Sequence, residues 1–423
     1  MVDTGDAGAG LRIALLEATE ALIVTHGIEG VSLRAVSAAA GKSTTVIFQH
    51  FGGKEGLLLA SVEHAIAKSR QRHDVLLVAL DGLPQTAESL ADAIAFYMLD
   101  QGRDPATRLY LEMLFKHRHL PEAAPLLRDR QATHRTFWGA LLAGGRFARL
   151  APLIATYSVA ELGFAAALHR EPGYALLLRE TVLGLVEGCA GRLDPDRASV
   201  PLIAWMEERA FPREATDSQS PVSAPAPAMQ RLLDLAATMI IERGPAGLNL
   251  RRLATEANVA PSLIVYHYGD FASFVKAAIW RAIMHGLPIF LDTSQAATRP
   301  ADDAAWLNDL TRATMPASDA GPAGFYVNYA RILGQVGMLA HRQPEFLPLI
   351  LQLRAIEGSG IHRASQTLWP ARYRLGRANA AGFAIWIKGQ AILNEALATG
   401  ADSPGPDDVV NTLDNLVGQG APT

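Results

Sequence analysis

Apolar residues recur at three- and four-residue spacing through Leu11–Thr25, Leu57–Ile66, Leu90–Leu99 and Leu176–Val186. The same spacing returns through Leu232–Ile241, Phe274–Ile283, Phe346–Ile356 and Ala381–Leu397. It places the apolar positions on one stripe of an α-helix, so each segment is predicted to bury a face. Alternating β-branched runs closed by hairpin dipeptides are missing. The pattern predicts an all-α fold. One segment interrupts it: Pro212–Ala228 holds four prolines, three serines and Val222 as its sole large aliphatic residue. Proline fixes φ and removes a donor, which predicts an extended, partly stiff linker between two near-equal halves.

The two halves carry a common pattern. One constant shift places Leu15, Leu16, Gly27, Gly30, Leu33 and Arg34 on Leu232, Leu233, Gly244, Gly247, Leu250 and Arg251. With no gap, Ala40, Ile47, His50 and Gly52 then fall on Ala257, Ile264, His267 and Gly269. Farther on, His117-Arg118 before Pro121-Glu122 returns as His341-Arg342 before Pro344-Glu345. This reads as a diverged tandem duplication of a module of about 200 residues.

Composition narrows the class. Of 423 residues, 49% are apolar and 19% charged, with mean hydropathy +0.13, which excludes global disorder. The longest strongly apolar stretch, Leu150–Ala160, is about half of the ~20 residues a membrane span needs. Met1–Gly10 holds Asp3 and Asp6 with no apolar run, unlike a signal peptide. Cys189 is the single cysteine, so no disulfide scaffold is expected. A soluble, cytoplasmic protein with no membrane contact is the expectation. A net charge of −4 from 38 basic and 42 acidic residues gives no general affinity for polyanions, so any DNA contact must be local.

Local chemistry supplies one. After a helix ending near His26-Gly27, Ser32 is placed to cap a helix over Leu33–Ala40, Gly41 closes it, and Ser43 is placed to cap a second short helix over Thr44–His50. Two short helices joined by a glycine-centred turn form a helix-turn-helix. Gly27, Gly30, Val36, Ala40-Gly41, Ser43, Ile47-Phe48, His50-Phe51, Lys54-Glu55 and Leu57 together resemble the tetracycline-repressor (TetR) family of transcriptional regulators. In the second half Gly244, Gly247, Leu253-Ala254, Ala257, Ile264 and Tyr266-His267-Tyr268 carry the resemblance. It implies a first helix-turn-helix domain over 1–66, a helical ligand-binding and dimerisation domain over 67–211, the linker over 212–228, a second helix-turn-helix domain over 229–285 and a second helical domain over 286–423.

The resemblance further implies that Thr44–Gln49 is a recognition helix for a double-stranded DNA operator. Ser43, Thr44, Thr45, Phe48, Gln49 and His50 would face DNA, while Val46, Ile47 and Phe51 pack inward. Lys54, Lys42 and Arg34 are phosphate candidates. The helix lacks arginine, so the common bidentate contact to guanine is absent and modest base specificity is expected. In the second half Phe271 stands for Lys54, Asn258 for Gly41 and Ala260-Pro261 for Ser43-Thr44. Its expected face is Asn258, Pro261, Ser262, Val265, Tyr266 and His267, with phosphate contacts moved to Arg251 and Arg252.

Other motifs carry less. Ala40-Gly41-Lys42-Ser43-Thr44 ends like a phosphate-binding loop, but that loop needs glycine where Val36 stands. His117 and His119 have no partners at ligand spacing, so neither metal nor cofactor is expected, and helix-end histidines are. Cys189 reads as a packing residue in an alanine- and glycine-rich helix. No hydrolase signature marks an enzyme. The middle of each half is rich in aromatic and methionine residues suited to an effector pocket: Phe96, Tyr110, Met113, Phe137 and Trp138 in the first, Phe325, Tyr329 and Trp369 in the second. Residue by residue, core packing is the plainer reading of each. Collectively they suit a small apolar or aromatic effector. Family members pair through their last helices, and the matching segments, Ala151–Ala190 and Ala371–Leu397, are rich in alanine and glycine. We therefore expect the two halves to pair within one chain as a pseudo-dimer, with a homodimer of chains as the alternative. A linker of this length spans up to ~53 Å, which permits it.

Overall fold

Capping chemistry and glycine placement set the boundaries of the first elements. The computed structural model describes residues 4–189, 200–211, 227–293, 302–319, 321–397 and 406–416. Helix α1 (Thr4–Gly30) bends at Gly27, whose φ of 73° interrupts the helical run. Helix α2 (Leu33–Ala39) is capped by Ser32, whose Oγ accepts from the Ala35 amide at 3.2 Å. Helix α3 (Thr44–Phe51) starts after Ser43, which has extended backbone but makes no side-chain cap bond. The expected Ser43 cap is thus corrected: its hydroxyl stays exposed. Gly52 and Gly53 turn the chain into α4 (Lys54–Ala79).

The first half continues through α5 (Ala87–Arg103), α6 (Pro105–Phe115), α7 (Ala124–Leu141), α8 (Leu150–Leu168), α9 (Pro172–Cys189) and α10 (Pro201–Ala210). The second half opens with the same order: α11 (Pro227–Arg243), the short α12 (Leu250–Glu256) and α13 (Pro261–Tyr268), then α14 (Phe271–Ile283). Helix α11 begins at Pro227 and so takes in the last two positions of the expected linker. It is followed by α15 (Asp303–Arg312), α16 (Phe325–Arg342), α17 (Leu347–Ala355), α18 (Ser359–Thr367), α19 (Arg377–Ala396) and α20 (Pro406–Leu416). Among the described residues there is no strand, only an isolated bridge between Ser318 and Gly321. Linker residues 212–226 and the side chains of His119 and Cys189 lie outside the described residues. The fourth helix differs most between the openings of the two halves: α4 has 26 residues and α14 has 13. Gly286, at φ 69°, and Pro288 follow α14 and cannot continue it.

One contiguous apolar core runs through both halves, from Leu15 to Leu416. Helix α8 is its axis. It is long and apolar enough to cross a membrane by length and composition, yet 83% of its most apolar window is buried inside the fold. Its neighbours are α5 and α7 of its own half and α16 and α19 of the other, and α9 also packs on α19 and α20. Glycines allow the closest approaches. A β-carbon on Gly337 of α16 would lie 2.3 Å from the Gly163 carbonyl of α8, and one on Gly389 of α19 would lie 2.1 Å from the Thr156 carbonyl.

Polar groups fasten the same boundary. Glu161 of α8 is fully buried and accepts from Arg354 Nε at 3.0 Å, Arg354 Nη2 at 3.1 Å, and the Tyr157 and Tyr174 hydroxyls at 2.7 Å each. Burial, then the Glu161 charge, drives both tyrosines well above their ordinary range. Glu112 pairs with Arg342, Glu395 with Arg118, and Glu207 with Arg377. The four ion pairs join residues on opposite sides of the linker.

Glu161→Gln leaves Arg354 buried without its counter-charge. We expect a loss of about 3–5 kcal/mol in urea unfolding of the full chain, as for other broken buried pairs. Gly337→Ala should cost about 1–3 kcal/mol, because its neighbour is backbone and cannot turn aside.

Candidate functional site

The first helix-turn-helix is fixed by its inward side. Ile47 is fully buried, and Val46 and Phe51 are half-buried against the core. Arg12 reaches over from α1, its guanidinium carbon 4.8 Å from the Phe51 ring centroid. With that side anchored, Lys42, Ser43, Thr45, Phe48 and Gln49 are exposed and Thr44 and His50 half-buried. Phe48 is 55% exposed, an unusual cost for a phenyl ring with no partner on the molecule itself. Arg34 on α2 is exposed, and so is Lys54 at the first position of α4, beside that helix's unpaired amides.

The second unit keeps the scaffold and changes the surface. Ile264 is fully buried where Ile47 lies in the first. Asn258 takes φ 53° in the turn where Gly41 has φ 64°. Asparagine tolerates this left-handed geometry better than most other side chains, which explains how the turn forms without glycine. Asn249 caps α12 by accepting from the Arg251 and Arg252 amides at 3.0 and 3.1 Å. Pro261, Ser262, Val265, Tyr266 and His267 are all exposed, Tyr266 by 84%. Arg251 is exposed, whereas Arg252 is held by Glu256 at 2.8 Å.

The aromatic residues expected to line a pocket divide into three groups. Phe96 is 54% exposed on α5 and lines no interior space, a correction to the expectation, because its position falls on the outer face of the helix. Tyr110, Met113, Phe137 and Trp138 are buried. Phe137 stacks on His73 at 4.4 Å and on Tyr97 at 5.1 Å, and Trp138 meets both Tyr97 and Phe137 edge-on. In the second half Trp369 is buried, while Phe325 and Tyr329 are half-buried. Trp369 packs on Trp306 and Phe383 and donates from Nε1 to the Phe290 carbonyl at 2.9 Å. Phe325 lies against Tyr329, and Tyr329 holds Lys388 over its ring at 4.3 Å.

A cleft of about 360 Å³ opens between α4 and α7, with His73 and Phe137 on its floor and Arg70, Asp129, Thr133 and Thr136 on its walls. Behind that floor the Tyr97 hydroxyl sits 2.8 Å from His73 Nε2 and 2.7 Å from His134 Nε2. A hydroxyl has one proton and can donate to only one imidazole, so at least one of the two must donate to it. Burial, reinforced by the Arg130 charge, lowers His73 to about 3 and His134 well below its usual range, so both are neutral at pH 7. Burial raises Tyr97 and Tyr110 to about 12. Residue-type reasoning missed His73, Arg130 and His134. Their signal was available: Arg130, His134 and Phe137 share one helical face, putting two polar groups on a buried stripe.

The depressed His73 sets a pH dependence. The unfolded imidazole takes up a proton from about pH 6.5 downward and the folded one only near 3, so its contribution is intact above 6.5 and lost as pH falls toward 3. In urea titrations at pH 7 and below, His73→Phe should show a shallower loss than the unaltered chain, by about 1.4 kcal/mol per pH unit for one proton.

Comparison with known proteins bears on the first unit. Residues 15–61 match the family described as bacterial regulatory proteins, tetR family. The chain is 40% identical over 67 residues to the HTH-type transcriptional repressor AcnR of Corynebacterium efficiens, covering 16% of this chain and 36% of that protein. It is 39% identical over 67 residues to AcnR of Corynebacterium glutamicum, with the same shares of 16% and 36%. The likeness therefore spans about a third of each relative's length. The family match runs from within α1 into α4, the part whose inward residues are buried and whose α3 presents Phe48 and Gln49 outward. Residues 15–61 are a TetR-family N-terminal helix-turn-helix domain.

Proposed function

We propose that this protein is a cytoplasmic transcriptional repressor in which two unlike helix-turn-helix units, carried by a tandem-duplicated chain, act as an intrachain pseudo-dimer on an asymmetric operator. The observation that carries this reading is the packing of α8 and α9 on α19 and α20, the last long helices of the two halves. Covalent linkage makes that pairing intramolecular, at an effective concentration on the order of millimolar. Because Gln49 and Phe48 on one unit correspond to Tyr266 and Val265 on the other, the two half-sites must differ.

An effector bound inside the helical part shifts the protein off DNA by preferring the DNA-incompetent arrangement. The cleft above His73 and Phe137 supports a site for a small, partly aromatic molecule in the first half. A second reading is favoured by Phe271 at the start of α14, where the first unit has Lys54, and by the Arg252–Glu256 pair. In it the second helix-turn-helix no longer touches DNA and its half serves as a ligand-sensing or protein-interaction module.

Selection from random duplex DNA with the purified full chain separates them. Two unlike half-sites support the pseudo-dimer, a palindrome supports a homodimer through the first unit, and no enrichment removes the operator reading. On the selected site Lys54→Ala should weaken binding to all sequences alike and reduce the salt slope by about 1. Gln49→Ala should cost about 1–3 kcal/mol and relax specificity at one position. Arg251→Ala with Arg252→Ala should lower affinity under the first reading and leave it unchanged under the second.

A further inference from the structure

Among the described residues three buried cations have carboxylates, while Arg108 donates instead to the Gly102 carbonyl at 3.2 and 3.0 Å. Arg354 has Glu161, Lys388 has Glu357 and Arg331 has Glu395. Arg130 is different. It is 1% exposed, its guanidinium carbon lies 5.2 Å from the Tyr110 ring centroid, and its side chain acts on the Tyr97 hydroxyl, but among the described residues no carboxylate pairs with it and no partner lies within hydrogen-bond distance of Nη1 or Nη2. His73 Nδ1 and Trp138 Nε1, in the same cluster, also lack one. A buried guanidinium with two unused donors is strongly disfavoured unless an anion meets it.

The surroundings define the anion. Asp100 is the carboxylate whose charge reaches Tyr97, and it is engaged by Arg72 at 3.6 Å. Asp129 pairs with Arg70 at the rim of the cleft. His73 and His134 are neutral at pH 7, so the packed cluster behind the cleft carries one positive charge, on Arg130, and matches a monoanion rather than a phosphate dianion. Two Nη donors in one plane fit the two oxygens of a carboxylate. Phe137, Tyr97 and Trp138 supply flat faces for a ring. The cleft outside, about 360 Å³, falls in the range of roughly 300–1,000 Å³ typical of small-molecule sites.

We propose that Arg130 receives the carboxylate of a small aromatic monoacid that enters through the cleft between α4 and α7. The ring rests among Phe137, Tyr97 and Trp138. Entry turns His73 aside, which breaks its bond to Tyr97 while Tyr97 keeps His134. This names the chemical class of the effector and so rests on the first-half effector site proposed above.

The test titrates benzoate, 4-hydroxybenzoate and phenylacetate into the full chain, following tryptophan fluorescence and the thermal midpoint. Benzamide and benzyl alcohol serve as neutral counterparts. We expect saturable responses to the acids and binding about tenfold or more weaker for the neutral compounds. Arg130→Met should keep a thermal midpoint at or above that of the unaltered chain, since an unpaired charge is removed, and should lose the acid response. If that variant does not fold, Arg130→Lys, which keeps the charge without the planar fork, should bind the acids more weakly. Equal responses to acids and neutral compounds, no response to any acid, or acid affinity unchanged in a folded Arg130 variant would overturn the proposal. DNA affinity measured on the same samples separates the two readings. Acid binding without DNA release keeps the anion site and removes the effector role, while a neutral compound that releases DNA with no acid binding does the reverse.

Discussion

Glu161 is a carboxylate with no exposed surface in the middle of the most apolar helix of the protein, and Arg354, on the far side of the linker, meets its charge. Neither group is tolerable alone at that depth, because an unpaired ion in a low-dielectric interior loses its hydration with no return. Tyr157 and Tyr174 complete the carboxylate's coordination from the first half. The two halves are consequently interdependent in a way that apolar packing by itself would not enforce. Apolar faces can slide or find other partners, whereas a two-pronged Arg–carboxylate contact fixes register as well as association.

The glycine crossings follow from the same requirement. Helix α8 is apolar on all sides, so it must be sheathed on all sides, and its own half supplies only α5 and α7 in quantity. Helices α16 and α19 complete the sheath, and they reach it because Gly337 and Gly389 allow backbone to approach backbone. Once that centre is set, the short helices at the start of each half are positioned through α1, α4 and α6 on one side and through α11, α14 and α16 on the other. A ligand that shifted α4 against α7 would act on the segment that begins at Lys54, directly after α3.

The two outward-facing helices show how constraint is divided within one motif. Ile47 and Ile264 are both fully buried, and the turn before each takes a left-handed residue, Gly41 or Asn258. Outward positions carry no such demand, and there Thr45, Phe48 and Gln49 face Ser262, Val265 and Tyr266 in the other unit. A change at an inner position costs packing stability, whereas the exposed outer positions carry no such cost.

Helical periodicity, the cap at Ser32 and the glycine turns were legible in the chain because each is a local effect of a few neighbouring residues. So was the helix-turn-helix over 15–61, whose signal is spacing along the sequence. Aromatic content was a poorer guide: it placed Phe96 in a pocket although that ring faces solvent, and it treated Trp369 as a lining residue although Trp306 and Phe383 enclose it. Ser43 took the backbone geometry of a cap without the hydrogen bond. The partners of Glu161, Glu112 and Glu395, the free donors of Arg130 and the Tyr97 bridge between two histidines come from helices dozens to hundreds of residues apart. The sequence by itself determined which segments are helices and which face of each is apolar, since those depend on i to i+4 relations. Only the tertiary structure decided which buried charges would meet a counter-charge and which would not, since burial and pairing are properties of the assembled core.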